Sequence, residues 1–135
     1  FTLKLAKMYP SGVLDRIISG GCSKRRPDFL LELSSWNIIV EIDENQHDSY
    51  DVECEHRRLM ELFVDLGNRP LVVLRMNPDA YTAEGVNVRG CFTKEMKLNK
   101  AGFKTRLNML VARVEHWLVT DPTKELTVEH LCFDS

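Results

Sequence analysis

Proline and glycine are scarce here, 5 and 7 among 135 residues, and no stretch is compositionally biased, which excludes a disordered or low-complexity chain. No internal repeat is present. No apolar run is long enough to cross a bilayer, and no signal-peptide pattern occurs, so neither a membrane partner nor secretion is expected. The four cysteines, Cys22, Cys54, Cys91 and Cys132, are widely spaced and form no C-x-x-C pair. A domain of this size needs no disulfides, so a reduced intracellular compartment is expected, with nucleus and cytoplasm undistinguished. A zinc site built from these cysteines with His47, His56, His116 and His130 lacks ligand spacing, and Cys54 and His56 would fall on different faces of a helix. An excess of positive charge is also missing: 18 Lys and Arg stand against 20 Asp and Glu, for a net charge of −2. The chain opens on Phe1 rather than Met, so it reads as a fragment fused to other domains in a longer protein.

What is present is the making of one soluble domain, 44% hydrophobic and 28% charged. The charge is unevenly spread. Arg89, Lys94, Lys97, Lys100, Lys104 and Arg106 are opposed in their segment by Glu95 alone, a basic face that attracts phosphate locally or is merely solvated.

Periodicity gives a coarse order of elements. Phe1 to Ser11 is ambiguous, with Leu3, Leu5 and Met8 able to end a helix, and Val13 to Ile18 reads as a short strand. Two more strands follow around Pro27-Asp28 and Asn37 to Asp43, with Ser34-Ser35 as turn chemistry between them. A helix begins at Asp48 to Asp51 and places Val52, His56, Leu59, Met60, Phe63 and Leu66 on one face, with Gly67 and Pro70 as stop signals. Leu71 to Leu74 is a continuous apolar run, as in a strand covered on both faces. Ala80 to Asn99 is irregular apart from a short strand at Val86 to Val88. A long helix from about Ala101 to Val119 carries Phe103, Leu107, Leu110, Val111, Val114 and Leu118 on one face, and a last strand covers Glu125 to Phe133. The fold class is α/β, a central mixed β-sheet flanked by helices.

Alternation puts Ile39, Glu41 and Asp43 on one face of their strand, with Ile38, Val40 and Ile42 on the other. Hairpin pairing brings Asp28 near Glu41 and Asp43, and converging carboxylates suit a hard divalent cation. A cation held by Asp28 and Glu41 polarises a phosphodiester and lowers the pKa of an attacking water, while Lys24, Arg25 and Arg26 supply positive charge for the phosphate. Asp43 is a third ligand or a base, and His47 a proton donor to the leaving oxygen. Each residue also has a plainer reading: Glu41-x-Asp43 as a solvated strand end, His47 as a surface histidine, Gln46 as a helix-start residue, Arg57 and Arg75 as salt-bridge partners of Glu41 or Glu61. Inward-facing acid without compensation favours the functional one, because burying like charges is costly.

Arg26-Pro27-Asp28-Phe29, followed by Val40-Glu41-Ile42-Asp43-Glu44-Asn45-Gln46-His47, resembles the PD-(D/E)XK, or restriction-endonuclease-like, nuclease superfamily. It is most similar to the branch with very-short-patch repair endonucleases, whose core often reads Glu-x-Asp-Gly-x-x-His. The similarity extends through Arg57 and Leu66-Gly67 to Val73-Leu74-Arg75. It implies a restriction-endonuclease-like core and hydrolysis of nucleic acid, DNA foremost, with Mg²⁺ or Mn²⁺ as cofactor. Asp28 and Glu41 would be ligands and the Ile42 carbonyl would complete the shell. The superfamily's Lys falls at Asp43, so water activation passes to Asp43, His47, Gln46 or a second metal. Cations expected to meet nucleic acid are Lys24, Arg25, Arg26, Arg57, Arg75, Lys94, Lys97 and Lys104. The competing readings are a nuclease-fold module that binds DNA without cutting it, and a protein-interaction domain with structural carboxylates. Cutting both strands points to a homodimer or to two successive nicks. No zinc finger, recognition helix or aromatic stacking platform is legible.

Overall fold

A computed structural model describes residues 1–14, 27–43, 52–92 and 97–134. A mixed five-stranded sheet lies at its centre, in the order β1-β2-β3-β4-β7, with helices on both faces. Chain order runs α1 (Thr2–Met8), β1 (Val13–Leu14), β2 (Phe29–Glu32), β3 (Asn37–Ile42), α2 (Val52–Asp65), β4 (Leu71–Met76), β5 (Tyr81–Ala83), β6 (Val86–Val88), α3 (Lys100–Leu118) and β7 (Leu126–Leu131). The α/β class and the mixed sheet agree with the sequence. No helix of the described residues is long and apolar enough to cross a membrane.

The hairpin β2–β3 forms as its composition predicts. Ser34-Ser35 reverses the chain, Leu33 N–H donates to the Trp36 carbonyl at 2.9 Å, and Phe29 pairs with Val40. From β3 the sheet becomes parallel: β3 pairs with β4, and β4 with β7, so α2 and α3 serve as the crossovers. β4 is buried at every position, which accounts for its unbroken apolar run. Ile38, Val40, Val72, Leu74 and Met76 face Leu5 of α1 and Leu110 and Val114 of α3. Leu30, Ile39, Leu71 and Val73 face Leu59, Leu62 and Leu66 of α2. Gly67 and Asn68 end α2 at positive φ, 89° and 57°, as a helix stop requires.

Three expectations need correction. Tyr81–Ala83 joins Val86–Val88 in a hairpin closed by Glu84 and Gly85 at φ 50° and 80°, where the sequence marks only the second strand. His56, placed inward by periodicity, is exposed. Arg106, counted with the basic face, is 3% exposed; its guanidinium donates to the carbonyls of Asn77, Asp79 and Arg89 at 2.7, 2.8 and 2.7 Å. It occupies the same seam as Leu110 and Val114, one turn apart, so it holds the end of β4 to α3. Of the strand expected over Val13 to Ile18, only Val13 and Leu14 fall among the described residues.

One glycine is required by close approach. A Cβ on Gly12 would lie 2.1 Å from Cζ of Phe29, a fully buried ring with nowhere to move. Gly12→Ala is expected to lower stability by about 1–3 kcal/mol, the usual cost of overpacking, read as a lower urea midpoint with an unchanged slope.

Candidate active site

The α2-facing residues of the sheet change character along the strands. Ile39 and Val73 are apolar, but Glu41, Asp43 and Arg75 follow them toward the carboxyl ends of β3 and β4. The facing stripe of α2 changes in step, from Leu66, Leu62 and Leu59 to Arg58 and Glu55. Charged residues of the two layers therefore meet at one end of a dry interface. Glu41 is 1% exposed, Asp43 0%, Arg58 3% and Arg75 5%.

These groups form an alternating chain. Arg58 Nη2 donates to Glu41 Oε1 at 2.5 Å, and Arg58 Nη1 to Glu55 Oε1 at 3.1 Å. Arg75 donates to that same Glu55 oxygen and, through Nη1, to Asp43 Oδ2 at 3.0 Å. Glu55 thus ties together the two guanidiniums that hold Glu41 and Asp43. Asp28, half-buried just before β2, accepts the Ile42 amide at 2.7 Å. That bond anchors its carboxylate to the strand carrying Glu41, close enough for its charge to act on Glu41.

Burial pushes the Glu41 carboxyl up to about 7; Arg58 and then Arg75 pull against this, and Asp28 adds to it. Glu41 Oε2 is buried without a hydrogen-bond partner. On Arg75, burial works downward, but the carboxylates of Asp43 and Glu55 outweigh it and the net shift is upward.

The Glu41 shift sets a pH dependence. Folded Glu41 keeps its proton up to about 7 while the unfolded carboxyl loses it near 4.5, so between those values the folded state binds more protons. Its contribution is fully present below the unfolded value and disappears as pH rises through 7. In metal-free buffer, stability of the native chain relative to Glu41→Gln is expected to fall by about 3 kcal/mol between those two values, followed by urea melts across the range.

The outcome for the expected site residues is mixed. Asp28 and Glu41 come together with Ile42 between them, and Asp43 shares the face of Glu41. The expectation of uncompensated acid is overturned, since Arg58 and Arg75 are paired with it. Arg75, expected to touch nucleic acid, is buried in those pairs and turned from the surface. Its partners are Asp43 and Glu55 rather than Glu41 or Glu61. Arg57 is exposed on α2, and Lys97 and Lys104 are exposed beside and on α3, across the sheet from Glu41. Gln46, His47, Lys24, Arg25, Arg26 and Lys94 lie outside the described residues. Among the described residues, no group of three His, Cys, Asp or Glu side chains is arranged to hold a metal ion.

Sequence reading missed Arg58 and Glu55, and weighed His130 only for a zinc site. The i, i+3 spacing of Glu55 and Arg58, in phase with Leu59 and Leu62, was the available signal. His130 stands beside Arg75 in the sheet register, edge-on to Phe133 at 4.7 Å. Burial and then the charge of Arg75 hold its pKa below the ordinary histidine value.

The fold and this cluster define an α/β domain with a buried ionic network at the carboxyl ends of parallel strands. No family model matches the chain, and neither a curated protein nor a solved structure matches it.

Proposed function

We propose that this domain is a divalent-metal-dependent nuclease with a restriction-endonuclease-like core, acting on DNA inside the cell. The observation that carries the reading is the Asp28–Glu41 pair. Asp28 is anchored by the Ile42 amide, and Glu41 keeps a buried oxygen, Oε2, that no hydrogen bond satisfies. Two neighbouring carboxylates with an orphaned oxygen call for a cation, and oxygen donors of this kind suit Mg²⁺ or Mn²⁺. Asp28, Glu41 and the Ile42 carbonyl would hold the ion. When bound it would polarise the phosphodiester and lower the pKa of the attacking water.

The chain's own groups do the rest. Arg58 fixes the orientation of Glu41 through Oε1 and leaves Oε2 for the cation. Lys24, Arg25 and Arg26, which precede Pro27-Asp28 in sequence, would meet the phosphate. Proton transfer would fall to His47 or Asp43, with Gln46 able only to orient the attacking water. Of these, Asp43 is already held by Arg75. A homodimer, which would cut both strands in one encounter, belongs to the same reading.

A second reading, a module of this fold that binds DNA without cutting, is favoured by one fact. Arg58 and Arg75 already supply positive charge to Glu41 and Asp43. The test is nicking of supercoiled plasmid with Mg²⁺ or Mn²⁺, native chain against Asp28→Asn and Glu41→Gln. Metal-dependent nicking lost in both variants supports the nuclease. Binding with no nicking by the native chain selects the second reading, and equal nicking by all three identifies a contaminant and sinks the first.

A further inference from the structure

We infer that the surface made by the Phe92–Leu98 bridge and the first two turns of α3 docks single-stranded nucleic acid. The inference deepens the nuclease reading by giving its DNA substrate a single-stranded segment, and its binding test does not depend on cleavage.

Four exposed cations lie on the segments that form this surface: Arg89 before the bridge, Lys97 beside Leu98, and Lys100 and Lys104 on α3. Neither Gly85–Phe92 nor Lys97–Thr105 contains an acid. Lys100 and Lys104 lie one turn apart at the start of α3, whose first turn holds no acidic residue. Cations at a helix N-terminus oppose the helix dipole, so helix stability does not account for them; a polyanion would offset the repulsion.

Amid these charges stand two apolar side chains, Phe92 at 48% exposure and Leu98 at 45%, paired across an antiparallel bridge. The sequence shows no stacking platform, because a lone phenylalanine reads as core until the fold turns it outward. An exposed aromatic ring among cations is how proteins bind single strands: lysine and arginine track the backbone while unstacked bases lie on the ring. The bases of a duplex are already stacked and paired, so duplex DNA gains nothing from Phe92.

The surface is rigidly supported. Cys91 N–H donates to the Pro78 carbonyl at 2.8 Å, Asn99 N–H to the Cys91 carbonyl at 2.6 Å, and Arg106 clamps the Asn77, Asp79 and Arg89 carbonyls from beneath. It also adjoins the proposed site. Asn77 follows β4 directly, and Asp43 N–H donates to the Met76 carbonyl at 2.8 Å. The surface and the Asp28–Glu41 pair thus share one end of the sheet on opposite faces. A single-stranded tail of a substrate seated at the carboxylates can round that end and dock on α3.

The test is fluorescence anisotropy in EDTA with a labelled oligothymidine of about 20 nucleotides and a duplex of the same length. The native chain is expected to bind the single strand more tightly. Phe92→Ala should weaken single-strand binding about 5- to 100-fold, leave duplex binding and the salt slope unchanged, and be rescued by Phe92→Trp. Lys100→Glu with Lys104→Glu should flatten the single-strand salt slope by about 1.4. Circular dichroism melts confirm that these surface variants fold. Equal affinity for both forms, no binding, or no effect of Phe92→Ala overturns the inference. Metal-dependent nicking with an inert Phe92→Ala leaves the nuclease reading standing alone. Binding as expected with no nicking leaves the docking surface standing alone.

Discussion

Glu41→Gln is expected to lower metal-dependent nicking about 100- to 10,000-fold, the several kcal/mol that a catalytic cation contributes to charge stabilisation. The replacement is nearly isosteric and keeps an oxygen to accept from Arg58, so packing against α2 is retained. What it removes is the negative charge that, with Asp28, would hold the ion. Asp28→Asn should act in the same direction, and its remaining carbonyl oxygen can still accept the Ile42 amide. The two losses should not multiply, because both groups would serve one ion. Stability separates this outcome from simple unfolding. Glu41→Gln abolishes a buried charge, so its stability relative to the native chain should rise by about 3 kcal/mol as pH is raised through 7, while its activity stays almost absent. Full activity in a well-folded Glu41→Gln would exclude Glu41 from the chemistry.

Much of the scaffold was legible because local pattern and tertiary role agree there. Asn37 to Ile42 and Leu71 to Met76 are apolar and rich in branched residues, and both strands are buried, β3 except at half-buried Ile42. Ser34-Ser35 and Gly67 mark true chain reversals. Strand alternation alone placed Glu41 and Asp43 on one face, and the hairpin register brought Asp28 to Glu41. The failures share a cause. Arg58, Arg75 and Arg106 are buried because distant groups satisfy them: Glu41 for the first, Asp43 for the second, the carbonyls of Asn77, Asp79 and Arg89 for the third. Beyond the i, i+3 spacing of Glu55 and Arg58, local sequence does not announce such partners, so Arg75 and Arg106 were counted among cations that could face phosphate and Arg58 was passed over. The same blindness shifted the phase of α2. With its inward stripe running through Glu55 and Arg58, the apolar pattern seemed to continue through His56.

Arg58→Ala is expected to cost about 3–5 kcal/mol near pH 8, the loss found when one partner of a buried ion pair is removed and the other stays charged. Against the ~5–15 kcal/mol typical of a domain, that is enough to leave a visibly unfolded fraction. The cost should shrink at about pH 5. There Glu41, already raised to about 7 and deprived of the pairing that lowers its pKa, takes up a proton and needs no counter-charge. A double variant, Arg58→Met with Glu41→Leu, removes both charges and should recover most of the loss at both pH values, since an apolar pair of similar volume packs as well as an ionic one. Urea melts of the four chains give the coupling energy directly. A small effect of Arg58→Ala at high pH would mean that Glu55, Arg75 and solvent can compensate Glu41 without Arg58. Full recovery in the double variant would carry a functional lesson as well. An ionic pair that stability can do without, in a layer otherwise closed by Leu59, Leu62 and Leu66, would have its explanation in the cation proposed for Glu41.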